Sequence, residues 1–273
     1  IVTGNYVVYK GVGTSFTINN LDNNSIYHFA VYEYNAAGPC YLTPALTGSQ
    51  STLCGTPTVH ASNIVFSSLT TTSATISWTS GNGSNRLVLA HQDNPVNAYP
   101  SNNNTYTSST NFGSGSEIGT GNYVVYNGTS NSVTVNNLLP GTIYFFKVIE
   151  YSCSEGNEKY FVNENVLSGD TSTNPTNVTN LKANCVTNNS LSLSWLLPQG
   201  GFDGIFVTIR QGGIPSTPSC NPADLTNPIT DFSLADEYCG NSTSSKYVYN
   251  STGTDVTITG LTAGNSYTIK VFT

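Results

Sequence analysis

Thr3-Gly-Asn-Tyr-Val-Val-Tyr9 recurs as Thr120-Gly-Asn-Tyr-Val-Val-Tyr126, and the match runs without a gap to Tyr34 and Tyr151 at a constant offset of 117 residues. Over that stretch 19 of 32 positions are identical, which chance does not supply, so one architectural unit is repeated. A weaker third copy follows the second at an offset of 123: Tyr247-Val-Tyr-Asn250, Val256-Thr-Ile258, Leu261, Tyr267, Ile269 and Val271. Upstream of the shared motif, Ser73-Ala-Thr-Ile-Ser-Trp78 matches Ser190-Leu-Ser-Leu-Ser-Trp195, again 117 apart. Each unit thus reads as a Trp strand, then a Tyr-Val-Tyr strand, then a Leu…Tyr strand.

The first copy carries no Trp half and the third stops inside its last matched strand, so the chain is expected to be a window on a longer array. The division this predicts is residues 1–54 as the C-terminal half of one unit and 55–173 as a complete unit with a long insertion between its third and fourth strands. Residues 174–273 are then a third unit cut before its last strand.

Periodicity fixes the class. Ala74, Ile76 and Trp78 alternate with Thr75 and Ser77, and Tyr144, Phe146 and Val148 also fall at period two, so each segment offers one buried face. No stretch combines a 3.6-residue apolar period with helix caps. Short strands separated by Asn-Gly, Pro-Gly and Gly-Asn turns predict an all-β fold of tandem sandwiches.

Composition narrows the functions. Only 8% of the 273 residues are charged and the net charge is −7, so no basic surface is available for nucleic acid or an anionic bilayer. The longest apolar runs, such as 143–149, are strand-sized and far short of the roughly 20 residues of a helical membrane span. His28, His60 and His91 fall in separate segments, and no H-E-x-x-H, G-x-S-x-G or P-loop occurs. The acidic residues Asp231, Asp236 and Glu237 lack EF-hand spacing. A non-enzymatic chain with no cofactor and no metal is expected. Six cysteines without C-x-x-C spacing suit an oxidising, extracellular setting.

Leu138-Leu-Pro-Gly-Thr-Ile-Tyr-Phe-Phe-Lys-Val148 resembles the E–F corner and F strand of fibronectin type III domains, and Leu21…Tyr27…Val31 and Leu261…Tyr267…Val271 look like the same element. The resemblance implies immunoglobulin-like (fibronectin type III) sandwiches arranged end to end, with Tyr27, Tyr144 and Tyr267 as tyrosine corners and Trp78 and Trp195 buried between sheets. A longer pattern in 55–173 is similar to repeats of very large surface and secreted proteins of Bacteroidetes, including gliding-motility adhesins exported by the type IX system. It comprises Arg86-Leu-Val-Leu-Ala, Pro95-Val-Asn-Ala, Tyr106, Phe112-Gly-Ser-Gly and Gly121-Asn-Tyr-Val-Val-Tyr126. The third unit departs from that pattern, and there the resemblance implies the fold only.

The same resemblance sets which side chains meet, because strands run alternately between two poles. Cys54 and Cys153 fall at one pole and are a candidate bridge between units; Cys220 and Cys239 are a candidate pair within the third. Cys185 competes for Cys220, and Cys40 has a partner only in a preceding unit. Arg86 and Glu150 share the pole of Cys153 and are a candidate cross-strand ion pair. The segment between the third strand and Gly121 far exceeds an ordinary loop. Its aromatics Tyr99, Tyr106 and Phe112 either contact a ligand or cover the sandwich edge, the latter being the favoured reading. The partners implied are neighbouring units of the same chain, with surface glycans or the type IX export and motility apparatus as further candidates. The role implied is a spacer or stalk of a cell-surface adhesin; the alternative is a glycan-binding or linker array on a secreted polysaccharide-degrading enzyme.

Overall fold

The structure, a computed structural model, describes residues 4–23, 25–35, 40–219, 221, 224–225, 227–238 and 244–273. Among these there is no α-helix. The first unit contains β1 (Ile26–Val31), β2 (Tyr34–Asn35), β3 (Cys40–Tyr41) and β4 (Leu46–Ser51). The second contains β5 (Ser62–Ser67), β6 (Ala74–Thr79), β7 (Asn85–Gln92), β8 (Tyr123–Gly128), β9 (Ser132–Val135), β10 (Ile143–Ser152), β11 (Lys159–Tyr160) and β12 (Leu167–Ser172). The third contains β13 (Thr179–Val186), β14 (Leu191–Leu196), β15 (Ile205–Gln211), β16 (Lys246–Ser251), β17 (Asp255–Ile258) and β18 (Tyr267–Phe272).

In the second unit a three-stranded sheet, β5-β6-β9, faces a five-stranded one in which β10 lies beside β7, β11 and β12, and β8 beside β7. The third unit repeats this with β13-β14-β17 against β16-β15-β18. Each sandwich has its own filling. Ile76, Trp78, Val88, Val135, Tyr144, Phe146 and Val148 form one cluster; Leu193, Trp195, Val207, Ile209, Val248 and Ile258 form another. Both tryptophans are buried, each against a strand-borne tyrosine, Tyr126 at 5.7 Å and Tyr249 at 5.4 Å between ring centroids. Among the described residues no cluster bridges the two units, so each folds on its own apolar surface.

The corners are the same in all three copies. The hydroxyl of Tyr27 accepts the N–H of Asp22 at 2.9 Å, that of Tyr144 the N–H of Leu139 at 3.0 Å, and that of Tyr267 the N–H of Thr262 at 2.9 Å. One ring plugs the end of the core while its oxygen fixes the chain where it crosses between sheets. Tyr144→Phe keeps the ring and strands one amide. It is expected to lower the stability of the second unit by about 1 kcal/mol, read as a shift of the urea midpoint with an unchanged slope.

The neighbouring strands β7 and β10 carry apolar residues on both faces. Leu87, Leu89, Ile149 and Tyr151 point away from that core and are nevertheless buried, packed with Val96, Ile118, Val124, Tyr160 and Val166. The covering residues come largely from the insertion between β7 and β8. The insertion therefore roofs the outer face of a sheet rather than its edge. Phe206, Tyr238 and Tyr247 form the corresponding outer cluster in the third unit.

Candidate functional site: inserted lobes and unit junctions

Three aromatic residues of the insertion have different surroundings. Phe112 is half-buried, its ring edge-on to Tyr144 at 5.1 Å and to Tyr123 at 5.2 Å, and its amide bonds the carbonyl of Asn136 at 2.9 Å. Tyr106 packs on the outer cluster beside Tyr160, 5.9 Å away, and its hydroxyl accepts the amide of Ser101. Tyr99 alone of the three is open, 37% exposed, with the Lys147 ammonium 2.7 Å from its hydroxyl and 4.4 Å from its ring centroid. No row of exposed rings is formed by this trio.

The third unit, expected to diverge here, docks its insertion in the same way. Phe232 stacks edge-on to the corner Tyr267 at 5.2 Å, and its amide bonds the carbonyl of Thr259 at 2.8 Å. The signal lay in the sequence: Thr110-Asn111-Phe112 and Thr230-Asp231-Phe232 match at an offset of 120, between the two offsets of the flanking strands. A gap on each side conceals it from a constant-offset comparison. Asp231 stabilises this turn by accepting the amide of Ser233 at 2.9 Å and its hydroxyl at 2.5 Å, and the Ser233 hydroxyl bond holds its carboxyl below the ordinary value.

At the opposite pole, Arg86 and Glu150 stand directly across β7 and β10, as strand order requires. Against the push of burial, the Arg86 charge helps hold the Glu150 carboxyl down, and each side chain is also met by backbone groups. The Glu150 carboxylate, fully buried, accepts the amides of Gly81 at 2.8 Å and Gly83 at 2.9 Å. The Arg86 guanidinium donates to the carbonyls of Gly83, Thr129 and Ser130. Loop amides and carbonyls thus satisfy donors and acceptors on both side chains. A Cβ at position 83 would stand 2.6 Å from a Glu150 oxygen, so glycine is what lets the loop close on the carboxylate.

Two junctions follow one another along the chain. Cys54, at the end of the first unit, is disulfide-bonded to Cys153 just beyond β10, with a Cα separation of 6.2 Å. Cys40 and Cys185 are exposed free thiols; Cys220 and Cys239 lie outside the described residues. Between the second and third units the backbones touch. The amide of Gly201 bonds the carbonyl of Gly141 at 3.0 Å, and the amide of Gly141 bonds the carbonyl of Asn174 at 3.1 Å. Gly141 has φ +55°, and a Cβ there would lie 2.4 Å from the Gly201 nitrogen. No group of three or more His, Cys, Asp and Glu side chains gathers into a metal-ligand cluster among the described residues. No helix among them is long and apolar enough to cross a membrane.

Comparison with known proteins gives a family match over one part of the chain. Residues 174–273 match the family "Fibronectin type III domain". A 74-residue stretch, 27% of the chain, is 39% identical to Receptor-type tyrosine-protein phosphatase H of Homo sapiens, of which it spans 6%. Among solved structures, a two fibronectin type III domain segment from chicken tenascin aligns over 77% of this chain and 89% of its own, at 14% identity and TM-score 0.38. A redesigned β-sandwich protein aligns over 42% of this chain and 93% of its own, at 18% identity and TM-score 0.28. The chain is all-β, its sandwiches have the fibronectin type III fold, and residues 174–273 carry the sequence match to that domain.

Proposed function

We propose that the chain is a non-catalytic spacer of a secreted or cell-surface bacterial adhesin, with unit boundaries at 54/55 and 173/174, and that it holds a binding region away from the cell. The observation that carries this reading is that each sandwich has a separate core while neighbouring units are tied at their poles, covalently at Cys54–Cys153 and backbone to backbone at Gly141–Gly201. Units folded independently and joined in series transmit length, and their junctions set stiffness. The disulfide suits an oxidising extracellular location. The Bacteroidetes and type IX context rests on the motif resemblance of residues 55–173, and the partners proposed are adjoining units and that export machinery.

Stiffness is measurable. Small-angle scattering of the chain before and after dithiothreitol is expected to show a wider spread of intramolecular distances on reduction, reproduced by Cys153→Ser, with the β-sheet circular dichroism unchanged. Identical scattering in the two states would remove the bridge from any spacer role. Glycan recognition, the alternative, calls for exposed rings in a row, and the covered Phe112 and Tyr106 leave Tyr99 without companions from the insertion. A glycan array probed with the whole chain is expected to be blank; a saturable signal lost in Tyr99→Ala would favour that alternative instead.

A further inference from the structure

Glu158 is a buried carboxylate that packing alone does not account for. It ends the turn that follows β10 and is 2% exposed. Its Oε1 accepts the Thr105 hydroxyl at 2.5 Å, whereas Oε2 is buried with no hydrogen-bond partner. Burial pushes this carboxyl up, but the Thr105 hydroxyl and the amides of Glu158 and Gly156 outweigh it and hold the group below its ordinary value. Oε2 is thus a carboxylate oxygen held in the interior without a partner of its own. A buried anion in that state calls for a cation or a donor.

Beyond the Thr105 hydroxyl and those two amides, the surroundings supply oxygen lone pairs. The Tyr160 hydroxyl donates to the carbonyl of Asn104 at 2.9 Å and the Tyr151 hydroxyl to Asn127 Oδ1. Burial first, and the nearby Glu158 charge second, raise the pKa of both phenols. Lys159 is turned aside, its ammonium 2.6 Å from Asn103 Oδ1. The segment Ser101-Asn-Asn-Asn-Thr105 is folded over the turn: the Asn103 amide bonds the Glu158 carbonyl at 2.9 Å, and Asn102 Oδ1 accepts the Tyr160 amide at 2.8 Å. Carboxylate, hydroxyl, amide and carbonyl oxygens make up this neighbourhood, the donor set of a hard cation.

We propose that Glu158 and the loop 101–105 form a calcium site, with Glu158 Oε2 as its single anionic ligand and neutral oxygens and water completing the shell. One formal charge places its affinity at the weak end, with a dissociation constant on the order of 10⁻⁴–10⁻³ M, the range of extracellular modules. The ion would tie the insertion to the β10–β11 turn that also holds Cys153, and so firm the same junction as the disulfide.

Terbium(III) in place of calcium tests this on the whole chain, because Tyr160 lies 4.9 Å from Tyr151 and 5.9 Å from Tyr106 and these rings can sensitise a bound lanthanide. Tyrosine excitation is expected to give saturable terbium emission that calcium displaces, and Glu158→Gln is expected to lower the affinity at least tenfold while Asp231→Asn leaves it unchanged. A calcium titration of the thermal midpoint of the unaltered chain gives a second readout, expected to rise. Absent or non-displaceable emission, emission equal in Glu158→Gln, or a midpoint indifferent to calcium would overturn the site.

Discussion

Trp78→Ala is expected to destabilise the second unit by about 3–5 kcal/mol, the cost of removing a large aromatic side chain from a close-packed interior, and to leave the third unit where it was. Trp78 is buried among Ile76, Val88, Val133 and Tyr126 in a cluster that shares no member with that of Trp195. The protein contains 2 tryptophans, so in this variant the remaining fluorescence reports on the third unit alone. Urea unfolding followed by circular dichroism should show an early transition for the damaged sandwich, while Trp195 emission keeps the midpoint it has in the parent. Distant sites without shared partners behave additively. If the Trp195 transition moves with the first, the two sandwiches are one cooperative core and the series architecture fails.

Glu150→Ala is expected to cost about 3 kcal/mol, since it strands two buried amides, at Gly81 and Gly83, and leaves the Arg86 charge without a nearby anion. The pH dependence carries a sign that separates charge from packing. Burial is the largest influence on this carboxyl and pushes it above its ordinary 4.5, against the pull of the Gly81 and Gly83 amides, Arg86 and His60. The folded state therefore holds the proton more tightly than the unfolded chain. Its contribution to stability is fullest below 4.5 and declines as pH rises through the interval between the unfolded and folded values. Glu150→Gln has no such proton, so its stability should fall less than that of the parent over that interval in urea titrations at stepped pH. Equal slopes would show that the carboxylate is not titrating in its buried position.

Much of this fold was legible in the residues. Alternation in Ala74–Trp78 gave the inner face, and the Leu…Tyr spacing located the corners because a single side chain makes both the plug and the bond. The outer core was hinted at by the apolar run Leu87–Ala90 and by 143–149, broken only by Lys147, which mark strands buried on both faces. What covers them was not legible, since the insertion has no periodicity and its anchors, such as the Asn122 amide on Asn97, are contacts between distant segments. The docking of Phe232 escaped a search at fixed offset. The backbone partners of Arg86 and Glu150 escaped as well, because a sequence names charges and not the amides folded against them.

The clearest division between the two kinds of information is the repeated motif itself. Tyr123-Val-Val-Tyr126 is part of β8, laddered to Arg86–Ala90 of β7, with both valines buried. The side chains alone determined that this segment can present one apolar face and extend. Its pairing in the second unit was decided by β7, because half of a β-ladder's hydrogen bonds and all of its cross-strand packing belong to the chain alongside it.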